Sequence, residues 1–453
     1  MNKTMTATAA LSLCALAGLA HASGDPARLG KDLNPMGGEV QGSKDGVIPA
    51  WTGEDPFPGW SAGKSEAAAY KYRNDKVLFT IDASNVDKYA DKLAPGQIKL
   101  IKTYNTKLPV YPSRRTCRQL DFVAANTKTN VTAAKIGADG WSLTGAVLPG
   151  IPFPIPENGV ELIWNHLTRY QGVATEWKNL TVYISPRPGS DSATRIVYNN
   201  DNYFPYSAKG SNHVGNSYYY AYVSGYSAPA ALSGQLALQQ IYLDRPTDTY
   251  YYFPGQRRVR RLPSYDYDTQ NLGFEGLLPV DTGAVFLGAP NRFDWKIVGK
   301  KEMYVNVNNF VFTDPSVNFD DVIKRDHIDA SALHYELRRV WVVQATVKAG
   351  VRHINPKRTF YFDEDSGIAV GGDDYDAQGK LVRWKESAVA PEAQIGGQCQ
   401  IVNYRAHDLD SGRYVLDNIV FGGGTKKNYI ETDNPKFRPS YYTQESLQRM
   451  GDR

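Results

Sequence analysis

Arg358-Thr359-Phe360-Tyr361-Phe362-Asp363-Glu364-Asp365-Ser366-Gly367 is the stretch whose reading decides the fold. A run rich in β-branched and aromatic side chains passes straight into Glu, Asp, Ser and Gly, residues that reverse an extended chain. A second such turn, Asp376-Ala377-Gln378-Gly379, leads into another run, Leu381 to Glu386, and Glu336 to Val347 precedes them all. Strands separated by tight turns are hairpins joined in a meander. Further out, the same period-two pattern marks Trp177 to Ile184, Tyr218 to Tyr226, Gln235 to Tyr242, Thr249 to Phe253 and Trp295 to Val298. The fold class expected is mainly β: a large curved antiparallel sheet or unclosed β-barrel.

A sheet of that length must curl to hide its edges, and a curled sheet encloses a cavity unless something fills it. After Pro152-Phe153-Pro154-Ile155-Pro156, Val160, Ile163, Trp164 and Leu167 fall at helical spacing and predict one apolar stripe lying across the opening. His166, beside that stripe, reads as a hydrogen-bonded structural histidine. The chain carries 30 Tyr, 16 Phe and 8 Trp, large apolar bodies with a polar handle suited to a cavity wall. Trp164, Trp177, Tyr251, Phe253, Trp295 and Trp341 are the lining expected for a hydrophobic ligand.

The first residues address the compartment. Lys3, an apolar stretch from Ala7 to Ala20 and the Ala20-His21-Ala22 pattern make residues 1–22 a signal peptide cleaved after Ala22, which implies a periplasmic protein. Cys14 is a poor lipoprotein anchor, because Leu13 stands where a small residue is needed. No later run has the roughly 18 apolar residues of a membrane helix. A formal net charge of +4 in 453 residues is too balanced for a nucleic-acid partner. Residues 23–150, punctuated by Gly and Pro, read as an extended arm with short helices at Val86 to Leu93 and Ile98 to Tyr104; residues 151–453 form the β domain. Cys117 and Cys399 remain after processing, and an oxidising compartment favours a disulfide between them, the alternative being two buried thiols. Closing a loop of roughly 280 residues would contribute up to about 5 kcal/mol.

Catalytic templates fail at definite residues. Gly225-Tyr226-Ser227-Ala228-Pro229 has proline where a nucleophile elbow needs glycine, and Gly422-Gly423-Gly424-Thr425-Lys426 lacks the phosphate-loop ending. Asp374-Tyr375-Asp376-Ala377-Gln378-Gly379 begins like a calcium loop but puts Lys385 at the twelfth position, so a hairpin turn explains it better. His166, His213, His327, His334, His353 and His407 have no metal-ligand spacing. No cofactor, metal or catalytic residue is expected. Arg257, Arg258, Arg260 and Arg261 alternate about Val259, which predicts an exposed sheet edge or cavity mouth; there they either keep a strand edge soluble or grip an acidic headgroup or partner.

Several stretches, in order, resemble the domain of unknown function 1329 family of the LolA/LolB-like superfamily: Asp45 to Gly53, Pro109 to Thr116, Asn158 to Leu167, Pro254 to Arg261, Asp294 to Lys296 with Gly299 to Tyr304, and Tyr335 to Val343. The resemblance implies a periplasmic protein with an apolar groove like that of lipoprotein carriers. It also implies an RND-type exporter and an outer-membrane barrel protein as partners, and it brings no catalytic residues. Three functions follow: a carrier of a lipid, lipidated protein or other hydrophobic molecule; a structural adaptor that encloses nothing; and an envelope hydrolase using Asp363, Glu364 or Asp374. A continuous apolar cavity would mark the carrier, and a filled core with an exposed patch the adaptor.

Overall fold

The computed structural model describes residues 24–209, 218–314, 316–420 and 426–452. The segment read as a signal peptide, His213 and Gly422 to Thr425 lie outside them. Sixteen strands form one sheet: β1 (Phe79–Ile81), β2 (Leu108–Val110), β3 (Ala174–Ile184), β4 (Thr194–Tyr203), β5 (Tyr220–Ala228), β6 (Leu236–Ile241), β7 (Asp248–Phe253), β8 (Arg258–Arg261), β9 (Phe293–Asn306), β10 (Tyr335–Val347), β11 (Lys357–Asp363), β12 (Ala369–Tyr375), β13 (Leu381–Glu392), β14 (Gln398–Asp408), β15 (Tyr414–Ile419) and β16 (Lys426–Ile430).

Two meanders are joined side by side. β3 to β8 follow one another across the first, β10 to β15 across the second, and β15 pairs antiparallel with β3 through Val415–Ile184 and Leu416–Tyr183. β9 runs along the outer side of β10, β16 along β3, and the short β1–β2 hairpin adds to β10 by a single parallel bridge at Tyr335–Val110. The sheet ends at β1 and β8 and does not close into a barrel. Within the second meander it rolls far enough that Val307, just past β9, bridges Val389 of β13.

Period-two alternation sends the two sides of the second meander into different layers. Val340, Tyr361, Val370 and Trp384 face Met36, Leu100 and Cys117 from the N-terminal region. Val343, Phe360, Phe362 and Ala369 face Ile163, Trp164 and Leu167 of the helix α3. Among the described residues four α-helices have eight residues or more: α1 (Pro95–Tyr104), α2 (Asp121–Ala133), α3 (Gly159–Leu167) and α4 (Gln444–Gly451). α3 begins where Asn158 Oδ1 accepts from Glu161 N–H (3.2 Å) while Glu161 Oε2 accepts from Glu157 N–H (2.6 Å). Every residue of α3 is buried; at about 1.5–3 kcal/mol per fully buried large apolar side chain, its stripe holds it to the sheet. At the start of α1, Gly96 N–H donates to Asp373 Oδ1 (2.9 Å), and a Cβ there would lie 2.7 Å from Trp384 Cβ. Only glycine allows that approach.

The N-terminal region is tied to the sheet covalently and ionically. Cys117 is bonded to Cys399 of β14. Arg115 donates to both carboxylate oxygens of Asp365 (2.8 and 2.6 Å), and Arg338 reaches Asp363 (3.2 Å) and Asp365 (3.0 Å). Acids at a hairpin turn ordinarily face water; here Asp363, Glu364 and Asp365 are buried, because Arg115, Arg338 and Arg339 converge on them. Asp374, the other acid weighed for hydrolysis, sits in strand β12 rather than in a turn and is paired with Arg358 (3.0 Å) and Lys385 (2.6 Å).

Candidate functional site

The alternation of β5 builds the site. Tyr220, Tyr222, Ser224 and Tyr226 point to one side, while Ala221 and Val223 point to the other and pack in the cluster that holds Leu447 of α4. Beside the tyrosine side stand Tyr198 and Asn200 of β4, Ala237 and Gln239 of β6 and Tyr251 of β7. Trp177 and Val182 of β3, an odd and an even position, reach the same side because the register shifts between Trp177 and Leu180, where Asn179 is left-handed (φ 53°). Asp417 and Asn418 both reach it from a second bulge in β15, with Asn418 at φ 62°.

These side chains enclose a cavity of about 150 Å³ where the two meanders join. The chain between β8 and β9 roofs it with Tyr265, Asn271, Phe274, Val280 and Phe286, and the end of α3 closes one wall with Leu167, Arg169 and Gln171. Tyr404 of β14 brings the tyrosines to seven, and tyrosine rings with interleaved amides and hydroxyls make a wall that is apolar and hydrogen-bonding in turn.

Hydrogen bonds satisfy much of that wall. Ser224 Oγ donates to Asn200 Oδ1 (2.8 Å), Tyr220 Oη to Asn202 Oδ1 (2.7 Å), and Asn202 Nδ2 to Thr175 Oγ1 (2.7 Å). Tyr198 and Tyr404 hydroxyls donate to the two oxygens of Asp417 (2.8 and 2.5 Å). Burial raises the pKa of Asp417 and of the tyrosines around it, and Tyr265 is pushed up to about 12. The wall is neutral apart from Asp417 and Arg169.

Arg169 stands out. The buried arginines Arg115, Arg338, Arg358, Arg383 and Arg405 each face a carboxylate. Arg169 forms no ion pair among the described residues; its charge is felt by His166, Tyr219, Tyr220 and Tyr429. One donor, Nη1, is spent on the carbonyl of His166 (2.9 Å), and Nε is buried without a partner. A cation at a helix C-terminus is worth about 0.3–1 kcal/mol, at most about 2. Unlike those arginines Arg169 is half-buried, and the burial it has lowers its pKa with no carboxylate among the described residues to offset it. Trp177 Nε1 is likewise buried and unpartnered.

The roof is latched. Asp281 Oδ2 accepts from Arg358 Nη1 (2.6 Å) and lies 3.0 Å from His353 Nε2; against the upward push of burial these two hold its carboxyl well below the usual range. Glu275 pairs with Arg187 (2.9 Å) and Arg413 (2.8 Å). Between latch and cavity, Ala284 (φ 51°) and Val285 (φ 72°) are left-handed, a conformation that costs a β-branched residue of order 1–3 kcal/mol.

Of the aromatics expected as lining, Trp177 and Tyr251 border this cavity and Phe253 lies beside Tyr251, the rings tilted by 34° with centroids 4.9 Å apart. Trp295 stands behind the lining, edge-on to Phe286 at 5.3 Å. Trp164 is in the core, its Nε1 donating to Trp141 O (2.6 Å), and Trp341 lies under Lys300 Nζ at 4.4 Å. Arg258, Arg260 and Arg261 are exposed on β8, the last strand of the sheet; Arg257 precedes it in a left-handed turn (φ 50°). Arg261 pairs with Asp248 (2.5 Å), while the other three make no ion pair among the described residues. His166 bridges two segments, accepting from Ala369 N–H at Nδ1 (3.2 Å), so Nε2–H donates to Phe286 O (3.0 Å). Tyr220, Tyr222, Tyr226, Arg169 and Asp417 escape the sequence reading; the alternation of Tyr220 with Tyr222 and Tyr226 was the available signal. Among the described residues no three His, Cys, Asp or Glu side chains are placed to hold a metal, and no helix is long and apolar enough to cross a membrane.

Comparison with known proteins gives the family. A Pseudomonas aeruginosa chain, Uncharacterized protein PA3922, is 36% identical over 458 residues, which span 99% of this chain and 98% of that one. A solved domain from Vibrio parahaemolyticus, provisionally described as an outer membrane lipoprotein-sorting protein domain, superposes with TM-score 0.43 at 10% identity, covering 64% of this chain and 98% of its own. The LolA superfamily protein NE2245 from Nitrosomonas europaea gives TM-score 0.33 at 14% identity over 60% and 92%. The family model described as protein of unknown function (DUF1329) matches residues 80–448, and with that match over most of its length this chain belongs to the DUF1329 family.

Proposed function

We propose that this protein is a periplasmic binding protein that carries an amphipathic molecule, a lipid, a lipidated segment or another compound with an apolar body, in the tyrosine-lined cavity beneath the β8–β9 roof. The observation that carries this reading is the wall itself: seven tyrosines from four strands and the roof converge on one space, with amides and the Arg169 guanidinium between them. The space, about 150 Å³, is below the roughly 300–1,000 Å³ of drug-sized ligand sites. A larger cargo therefore needs the roof to lift, and the roof is held by ion pairs and by Phe274, Leu278, Val285 and Phe286 packed in the core rather than by pairing with the main sheet. The carboxylates that hydrolysis would use are already bound to arginine or lysine, so no catalytic role is proposed.

The test is a binding experiment with a filled-cavity variant. Ala237→Trp should occupy the space at a cost of about 1–3 kcal/mol in stability. N-phenyl-1-naphthylamine fluorescence should rise with wild type and stay flat with this variant. Equal fluorescence from both would remove the cavity from the proposal.

A second reading, the adaptor, is favoured by Arg257, Arg258 and Arg260, which are exposed and unpaired on the outermost part of the sheet. That edge offers charge to a lipid headgroup or to the acidic face of a partner. An RND-type exporter and an outer-membrane barrel protein are the partners this reading supposes, and the two readings are compatible in one molecule.

A further inference from the structure

We infer that the ligand of the tyrosine-lined cavity is an anion, a molecule whose carboxylate or phosphate oxygens sit on the Arg169 guanidinium while its carbon body lies along Tyr220, Tyr222 and Tyr226. The inference rests on the cavity being a binding site, as proposed above, and adds the chemistry of what it holds.

Three observations converge. Buried arginines in this protein are matched by carboxylates, as at Arg115–Asp365, Arg338–Asp363, Arg358–Asp281 and Arg405–Glu386. Arg169 borders the cavity with no such partner among the described residues, and its Nε is buried and unsatisfied. A planar guanidinium is the side chain best shaped for carboxylate or phosphate oxygens. The space around it is also small, about 150 Å³, below the roughly 300–1,000 Å³ of drug-sized ligand sites. The cavity therefore suits a charged head with a few carbons, and a longer tail must leave beneath the roof. Trp177, whose Nε1 is a second buried donor without an acceptor, also borders this space. The cavity's own carboxylate, Asp417, is occupied by the hydroxyls of Tyr198 and Tyr404 and does not neutralise Arg169.

The experiment uses the purified full chain and isothermal titration with probes that differ only in the head: decanoate, decyl phosphate, 1-decanol and decyltrimethylammonium, with inorganic phosphate as the head alone. Decanoate or decyl phosphate should bind at least tenfold tighter than 1-decanol, and decyltrimethylammonium weakest. Arg169→Gln should erase that preference, and Arg169→Lys, which retains the charge, should keep most of it. Circular dichroism of both variants checks that the end of α3 stays folded. Inorganic phosphate binding that depends on Arg169 would identify a small free anion as the ligand; binding of the decyl anions alone would identify an amphiphile. Equal binding of anion and alcohol, or a preference that survives in Arg169→Gln, overturns the anionic assignment and leaves the binding site standing. Failure of every decyl probe and of phosphate to bind overturns both.

Discussion

Arg358 shows how single residues hold this protein together. It is fully buried, and its guanidinium joins Asp374 of the sheet to Asp281 of the roof, with His353 beside Asp281. Removing one partner of a buried pair strands the other, at about 3–5 kcal/mol. Asp281→Ala is therefore expected to lower urea stability by that amount and to speed hydrogen exchange between Leu262 and Arg292; a variant as stable as wild type would show that the latch is not needed. Asp266, also in the roof, caps Tyr267 N–H (2.8 Å), and burial raises its pKa to about 6. A raised carboxyl contributes stability that is full below its unfolded value near 3.8 and is lost as pH rises through about 6. Asp266→Asn, permanently neutral, should therefore gain on wild type between pH 4.5 and pH 7.5, read as the difference in urea midpoints. Residues of this kind were illegible in the sequence. The clustered arginines around Val259 declared an exposed edge by their own alternation, but Arg169 is one arginine after a helix, and only its place on the cavity with no carboxylate partner among the described residues gives it meaning.

At the scale of elements, legibility followed composition. β5, β7, β10 and β11, built from aromatic and β-branched residues, could be read from alternation alone. β4 and β12 could not: Asn199-Asn200-Asp201-Asn202 and Gly371-Gly372-Asp373-Asp374 have turn composition, yet in the sheet their polar side chains find partners across the strands, as Asn200 does with Ser224 and Asp374 with Arg358. α2 was hidden for a similar reason. Its sequence is rich in Thr and Asn, and it is held by tertiary bonds such as Asn130 Nδ2 to Val147 O (3.0 Å) and Ile151 O (3.1 Å). The edge strand β8 carries its own expectation. Arg258→Glu with Arg260→Glu should change stability by no more than about 0.5 kcal/mol, since neither side chain has a partner to lose, while weakening attachment to anionic vesicles or envelope partners in co-sedimentation. Undiminished attachment would return these arginines to the simpler task of keeping a sheet edge soluble. The disulfide is the other element-scale device: Cys117→Ser with Cys399→Ser should cost up to about 5 kcal/mol, seen as a lower thermal midpoint matched by wild type under reducing conditions.

The whole molecule is two meanders that meet at β15 and β3, with the second packed by the N-terminal region and the first left with a space under a latched roof. The contrast drawn from sequence between a continuous apolar cavity and a filled core does not describe it: among the described residues a small, half-polar cavity lies at the seam, beside clusters of fully buried side chains. That cavity follows from two bulges and a long connection, features with no periodic signature, which is why the sheet was legible and the site was not. The central claim is that the cavity holds a small amphipathic molecule in the cell, and native mass spectrometry of the full chain, exported to the periplasm and purified without detergent, tests it most directly. The expected spectrum shows a stoichiometric adduct that solvent extraction releases and Ala237→Trp abolishes. A wild-type chain that flies at its bare mass, and still does so after incubation with an envelope lipid extract, would contradict the account.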